Sequence, residues 1–253
     1  MSTTPETPVS GPISGPAVGQ SVPPEMHHDH QNVHGGWLRP AVFGAMDGLV
    51  SNFALIAGVA GGGVASSTVA LAGFTGLLAG ALSMASGEYT SVRAQTEAMH
   101  AELAIERAEI ARRPKAEEAE LARIYRKRGL DPQLAHEVAR QLSRDSENVW
   151  KVHAREELGV DPDALPSPWT AASSSFVAFA VGAFIPLLPY LVGASSLLIS
   201  MVLAGVGLFV AGAVIARFTR KPWWYSGLRQ LLIGAAAAAV TFGLGHLVGA
   251  SVG

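Results

Sequence analysis

Long apolar stretches alternate with polar segments along this chain, and their lengths predict helices that cross a lipid bilayer. About 20 residues span the hydrocarbon core of a bilayer as an α-helix. Stretches of that length occur five times, at residues 40–62, 67–92, 169–191, 194–217 and 226–252. We therefore predict five membrane spans, with a long polar insert between the second and the third.

Proline and glycine residues divide this polar insert into helices. A helical extension of the second span is interrupted at Pro114, because proline disrupts a helix interior but fits its first turn. We predict a new helix from Pro114 to about Arg128, ended by Gly129. Asp131 caps the next helix, and a last helix covers about residues 146–158.

Composition and charge sharpen this picture. The chain of 253 residues is 49% hydrophobic and 15% charged, against about 25% charged in an ordinary soluble domain. Most of its 18 basic and 20 acidic residues lie between residues 93 and 163, and residues 170–216 carry no charge at all. This distribution excludes a soluble globular protein. The absence of cysteine excludes disulfides and thiolate metal sites.

The distribution of Lys and Arg predicts the orientation of the spans. With a cytoplasmic N-terminus, all 18 basic residues fall on the inner side or at its edge, as the positive-inside rule requires. The net charge of −2, with acids and bases interleaved, gives no indication of a nucleic-acid partner. We expect a multi-pass protein of a bacterial inner membrane, with a eukaryotic organelle as the alternative.

Residues 1–36 are rich in Pro, Ser, Thr and Gly, and we predict a disordered arm without a secretory signal. Four histidines in this arm could hold a metal loosely, although we interpret them as part of a polar tail: His27, His28, His30 and His34. A flexible arm supplies no fixed coordination geometry.

Three side chains in the first two spans are candidates for a transport pathway. A carboxylate within a membrane helix costs several kcal/mol unless it is hydrated, paired or metal-bound, so we favour a functional role for Asp47. Solvation at the nearby interface is the alternative. Met84 and Glu88 are four residues apart and share a helix face.

The insert holds further candidates for metal chemistry. Glu106 and Glu109 form one Glu-x-x-Glu pair, and Glu117 and Glu120 form another. Each pair lies on one helix face, and four converging carboxylates would repel unless a cation lay between them. Spacing alone favours an ordinary solvated helix. His153 and Glu157 form a third pair, whose donors suit Fe(II), Mn(II) or Zn(II).

Several motifs together resemble the vacuolar iron transporter family of metal/proton antiporters. The similarity covers nearly everything from Trp37 onward. It rests on the acidic insert and on three motifs: Asp47-Gly48-Leu49-Val50 followed by Phe53-Ala54-Leu55, Gly80-Ala81-Leu82-Ser83-Met84-Ala85-Ser86-Gly87-Glu88-Tyr89, and Glu156-Glu157-Leu158-Gly159.

The resemblance implies a homodimer with a pore between its subunits and a cytoplasmic metal-binding domain. It implies that Asp47 and Met84 line the pathway and that five glutamates bind metal: Glu106, Glu109, Glu117, Glu120 and Glu157. Two positions depart from plant members of the family. His153 replaces a methionine, and because imidazole is a good ligand for Fe(II) and Zn(II) we expect the site to survive with altered metal selectivity. Gly76 replaces a glutamate, which puts the details of proton coupling in question.

We thus predict an all-α membrane protein with four parts: the arm (1–36), spans one and two (37–92), a cytoplasmic helical metal-binding domain (93–168) and spans three to five (169–253). Its expected function is to move Fe(II), and also Mn(II) or other divalent metals, out of the cytoplasm in exchange for protons. No prosthetic group is expected. A membrane-anchored, carboxylate-bridged ferroxidase and a metal sensor without transport remain alternatives. Four-helix di-iron proteins normally use Glu-x-x-His motifs, whereas the pairs singled out in the insert are Glu-x-x-Glu.

Overall fold

The computed structural model describes residues 36–145, 148–194, 196–219 and 221–252, and all regular structure in these ranges is helical. The eight α-helices found there are α1 Leu38–Gly61, α2 Ser66–Arg112, α3 Pro114–Lys127, α4 Pro132–Leu142, α5 Val149–Glu156, α6 Pro168–Leu191, α7 Leu197–Thr219 and α8 Trp223–Val252. A 3-10 turn, Pro162–Ala164, precedes α6. The predicted disordered arm with its four histidines lies outside the described residues, apart from Gly36.

Five of these helices, α1, α2, α6, α7 and α8, are long and apolar enough to cross a membrane. This confirms the predicted number of spans. Large apolar side chains such as Leu71, Val181 and Leu247 are exposed on them, as lipid-facing surfaces require. Exposed tryptophans lie at several helix ends, for example Trp37 and Trp169, where indole favours the bilayer interface.

The helix α1 lies at the centre of the bundle, in contact with α2, α6, α7 and α8. Its crossing with α6 is very close, because a methyl group on Gly48 would collide with the Phe179 carbonyl and one on Gly182 would collide with the Ala45 carbonyl. Small residues allow such close backbone approach in a lipid environment. The glycines of α1 therefore serve packing within this chain.

The second span continues as one helix of 47 residues to Arg112. Residues 93–112 contain neither Gly nor Pro, so nothing in the sequence ends the helix at the membrane. The break falls at Arg113, as predicted, and α3 starts at Pro114. The last helix of the insert is shorter than predicted, at Val149–Glu156, and α8 begins three residues before the predicted start at residue 226.

Local signals position the short helices of the insert. The Asp131 carboxylate accepts a hydrogen bond from the Gln133 backbone N–H at 2.8 Å and caps α4. Gly129 has a φ of +99°, a conformation that favours glycine. A small apolar core joins α3 to α4 through three buried side chains, those of Leu121, Ala122 and Ala139.

Candidate functional site

Four ionisable side chains converge in the insert, from three helices and the residue after the last of them. They are Glu106 of α2, Glu117 of α3, His153 of α5 and Glu157, and one ligand atom of each lies within 4.8 Å of the others. We call this group the insert cluster. The His153 Nδ1 atom is 2.9 Å from Glu106 Oε1, 3.8 Å from Glu157 Oε2 and 4.0 Å from Glu117 Oε2.

Two members of the insert cluster hold buried ligand atoms that make no well-aligned hydrogen bond with a described residue. The His153 side chain is 0% exposed and that of Glu106 is 6% exposed. Although 2.9 Å separates His153 Nδ1 from Glu106 Oε1, neither atom forms a hydrogen bond with any described residue. A buried polar atom without a partner costs about 1–3 kcal/mol. A cation bound between the two atoms would remove that cost.

Burial and mutual repulsion shift the pKa values of the insert cluster. Burial, and after it the neighbouring charges of Glu157 and Glu117, together raise the pKa of Glu106 to about 7. Burial also raises the pKa of Glu117. Burial lowers the pKa of His153, against the opposing effect of Glu157. Near pH 7 the His153 imidazole is therefore largely neutral, and the Glu106 carboxyl is close to half protonated.

Two of the predicted ligands, Glu109 and Glu120, are not members of the insert cluster. Glu109 is exposed and Glu120 is half-buried, and their charges act on Glu106 from a distance by raising its pKa. Glu156, next to Glu157 in the sequence, is also outside the insert cluster and forms an ion pair with Arg128. Each Glu-x-x-Glu pair thus contributes one glutamate to the group.

A second candidate site is a cavity of about 290 Å³ between α1 and α2, which we call the membrane cavity. Both Asp47 and Met84 line it. Glu88, one helical turn beyond Met84, does not line it and is half-buried. The remaining lining residues are Ser51, Asn52, Leu55, Gly76, Gly80, Ser83 and Phe179.

The sequence did not identify the uncharged polar residues that line the membrane cavity. Ser51 follows Asp47 by four positions, so helical periodicity places it on the same face. Asn52 is five positions from Asp47, a spacing that does not predict a shared face. Ser83 precedes Met84 directly. This periodicity was the available signal, but Ser and Asn are common in membrane helices and carry no charge that would single them out.

Comparison with known proteins decides the family. A family model described as the VIT family matches residues 38–246. The chain belongs to the VIT family. This VIT-family chain is 38% identical over 232 residues to "Vacuolar iron transporter" of Acanthamoeba castellanii, an alignment that covers 86% of the chain and 82% of the relative.

Two plant relatives extend the comparison. "Vacuolar iron transporter 1" of Eucalyptus grandis is 32% identical over 230 residues, covering 88% of the chain and 91% of the relative. "Vacuolar iron transporter 1" of Arabidopsis thaliana is 32% identical over 229 residues, an alignment that covers 88% of the chain and 90% of the relative.

The VIT family and these relatives are transporters, so the chain is not an enzyme and the ferroxidase alternative is set aside. It is a multi-pass membrane protein. The relatives are eukaryotic proteins named for the vacuole. They give no support to the expected bacterial inner membrane.

Proposed function

We propose that this VIT-family protein exports Fe(II) from the cytoplasm in exchange for protons, with Mn(II) as a further substrate. The observation that carries the proposal is the insert cluster, where buried ligand atoms of Glu106 and His153 lie 2.9 Å apart without hydrogen bonds. Carboxylate oxygens and an imidazole nitrogen are ligands that suit Fe(II), Mn(II) and Zn(II). The names of the relatives favour iron among these metals.

The chemistry of the insert cluster supports a link between metal and protons. A metal ion binds the deprotonated forms of its ligands, so binding displaces protons. Because the pKa of Glu106 is about 7, a proton and a metal ion compete for this carboxylate at physiological pH. The same competition at Asp47 would couple metal movement to proton movement in the opposite direction.

The two sites act in sequence in this proposal. Met84 and Glu106 lie on the same helix, 22 positions apart, which corresponds to about 33 Å along the axis. The ion therefore leaves the insert cluster and crosses a hydrated path before it reaches the membrane cavity. Glu88 lies on α2 between the two sites, which suits an intermediate role.

The open side of the membrane cavity supports a homodimer. Ser51 and Ser83 are exposed beside the half-buried Asp47. An ionised side chain that faces hydrocarbon costs several kcal/mol, and intramembrane carboxylates face a bundle interior or a water-filled cavity. We therefore propose that a second copy of the chain covers this face and that the pore runs between the two copies.

A flux assay tests the proposed function. The full-length protein is reconstituted in liposomes, and uptake of Fe(II), Mn(II), Zn(II) and Ca(II) is recorded with and without a proton gradient. We expect Fe(II) and Mn(II) to move at rates that depend on the gradient and Ca(II) to move least. A failure of every transition metal to cross the membrane would contradict the proposal.

A further inference from the structure

Asn52 is a buried amide of the membrane cavity to which neither the sequence pattern nor the family resemblance assigned a role. It lies on α1, five positions after Asp47, and its side chain is 2% exposed. It lines the same cavity as Asp47 and Met84. A buried polar group inside a membrane bundle needs partners for each of its polar atoms.

One half of this amide has a clear partner. The Asn52 Nδ2 atom donates a hydrogen bond of 2.7 Å to the Ala183 carbonyl on α6. A carbonyl oxygen only accepts hydrogen bonds, so it requires the NH₂ group of the amide on this side. The contact therefore fixes the orientation of the amide, with the Oδ1 atom turned away from α6.

The other half of the amide, the Oδ1 atom, has no hydrogen-bond partner among the described residues. Asn52 Oδ1 is buried, and no described residue donates a hydrogen bond to it. This oxygen lies toward α2, since a Cβ atom built on Gly76 would be 3.1 Å from it. Gly76 itself lines the membrane cavity. The Asn52 Oδ1 atom thus lies without a hydrogen-bond donor at the wall of the cavity, next to Gly76 and the end of the Leu55 side chain.

We propose that Asn52 Oδ1 is a metal ligand in the membrane cavity, together with the Asp47 carboxylate. The inference rests on the proposed function, since it names a further ligand on that route. An amide oxygen is a hard donor that suits Mn(II) and Fe(II). It stays uncharged at any physiological pH, so it adds affinity without taking up a proton, and Asp47 remains the group at which protons compete.

A different role for Asn52 would be to hold α1 against α6 through its Nδ2 hydrogen bond alone. Two substitutions at this position separate the roles. Asn52→Leu removes both polar atoms, and Asn52→Asp keeps an oxygen ligand while it loses the donor to Ala183. A purely structural role predicts that Asn52→Asp is at least as harmful as Asn52→Leu. A ligand role predicts that Asn52→Asp binds metal as well as the native protein or better.

Gly76→Ala provides an independent test that leaves the hydrogen bond to Ala183 in place. The added methyl group would crowd Asn52 Oδ1 and meet the end of the Leu55 side chain, which is exposed and has room to turn. Alanine is also the better helix former by about 1 kcal/mol, so the variant should fold. We expect it to weaken metal binding although the Nδ2 contact remains.

Ser200→Ala is the matched control for a lost interhelical hydrogen bond. Ser200 is buried on α7, and its hydroxyl donates to the Pro186 carbonyl on α6, the helix that also accepts from Asn52. Ser200 does not line the membrane cavity. Its substitution should lower thermal stability to a degree similar to Asn52→Leu and leave metal binding unchanged.

The measurement is Mn(II) binding by electron paramagnetic resonance, on the full-length protein in lipid nanodiscs. The background carries Glu106→Gln, Glu117→Gln and Glu157→Gln, so that residual binding reports the membrane cavity, and Asp47→Asn sets the baseline. We expect Asn52→Leu and Gly76→Ala to weaken this binding on the order of tenfold. Asn52→Asp and Ser200→Ala should retain it.

Equal affinity in the background protein, Asn52→Leu and Gly76→Ala would overturn the inference, as would the absence of Mn(II) binding above the Asp47→Asn baseline. Loss of binding in Asn52→Asp together with retention in Gly76→Ala would assign Asn52 a structural role. Because binding is read without transport, a protein that shows the expected pattern but moves no metal would contradict the proposed function alone.

Discussion

The insert cluster and the membrane cavity are both built on α2, but they present very different charge to a cation. The insert cluster gathers three carboxylates and an imidazole, whereas Asp47 is the one acidic residue among the described residues that line the membrane cavity. The former is formed by helices of a single chain, with Glu157 at its exposed edge, and the latter is open along a face with exposed serines. The two regions are thus suited to different steps of one route.

The surroundings explain this difference. Helices in contact with water can hold several carboxylates in proximity, because solvent and a bound cation offset their repulsion. Within the hydrocarbon each additional charge costs several kcal/mol, so a site there relies on few charges and on neutral donors such as Met84 and Asn52. A site with few charges also releases its ion more easily. The comparison therefore predicts tight capture in the insert and rapid transit through the membrane.

The largest effect on metal flux is expected when the single charge of the membrane cavity is removed. Asp47→Asn keeps the shape of the side chain but removes the charge that attracts the cation. Loss of a charge-assisted interaction corresponds to about 1.5–3 kcal/mol, so metal flux into proteoliposomes should fall at least tenfold. Metal affinity of the insert cluster should not change. Flux at the native rate would show that the route bypasses Asp47.

Neutralising the insert cluster should affect binding more than flux. We expect the triple variant Glu106→Gln, Glu117→Gln and Glu157→Gln to lower the Fe(II) affinity of the full-length protein about 100-fold, since even indirect partners of a metal site contribute 10–100-fold. Flux at saturating metal should persist. The matched control is the double variant Glu102→Gln and Glu118→Gln, which neutralises one glutamate on α2 and one on α3 that do not belong to the insert cluster. Complete loss of flux in the triple variant would contradict the proposal that the insert cluster captures the ion and the membrane cavity alone carries it across.

Metal affinity of the insert cluster should depend on pH near neutrality. Below its pKa of about 7, Glu106 holds a proton that the metal must displace, so affinity should fall by up to about tenfold for each pH unit below 7. Above pH 7 this dependence should disappear. The pKa of His153 is lowered, so its imidazole is largely neutral above pH 6.5 and does not reverse the trend. Calorimetry between pH 5.5 and 8 measures the effect, and Glu106→Gln should flatten it.

A smaller effect is expected from the imidazole of the insert cluster. His153→Met replaces a nitrogen ligand with a soft thioether, which should weaken Zn(II) binding by about tenfold and Mn(II) binding less, because Mn(II) prefers oxygen ligands. His136→Met is the control, since His136 is exposed on α4. Competition between Zn(II) and Mn(II) measures the ratio of their affinities. An unchanged ratio in His153→Met would show that His153 does not contact the ion.

The smallest effect concerns the framework of the insert. Asp131→Ala removes the carboxylate that caps α4, which typically costs about 1 kcal/mol of stability. Thermal unfolding should detect this change, while the metal affinity stays within twofold of the native value. A large loss of affinity would indicate that α4 positions the ligands more directly than its contacts suggest.

The spans and helix breaks could be predicted from the sequence because they depend on local signals. Apolar length set the five spans, and Pro114 and Asp131 marked the helix starts in the insert. The membership of the insert cluster could not be predicted in the same way. Glu106 and Glu109 carry the same chemistry one turn apart, and only the packing of α3 and α5 against α2 decides which of them is buried. Asn52 was missed because its role depends on an amide orientation set by Ala183 on another helix.

One measurement tests the central claim most directly. Proteoliposomes that contain the native protein are loaded with a pH indicator and a chelating Fe(II) indicator, and both signals are recorded together after Fe(II) is added. The account predicts that Fe(II) entry and proton exit rise and fall together and that both cease when Asp47→Asn replaces the native protein. Fe(II) entry without any proton movement would contradict the proposed exchange.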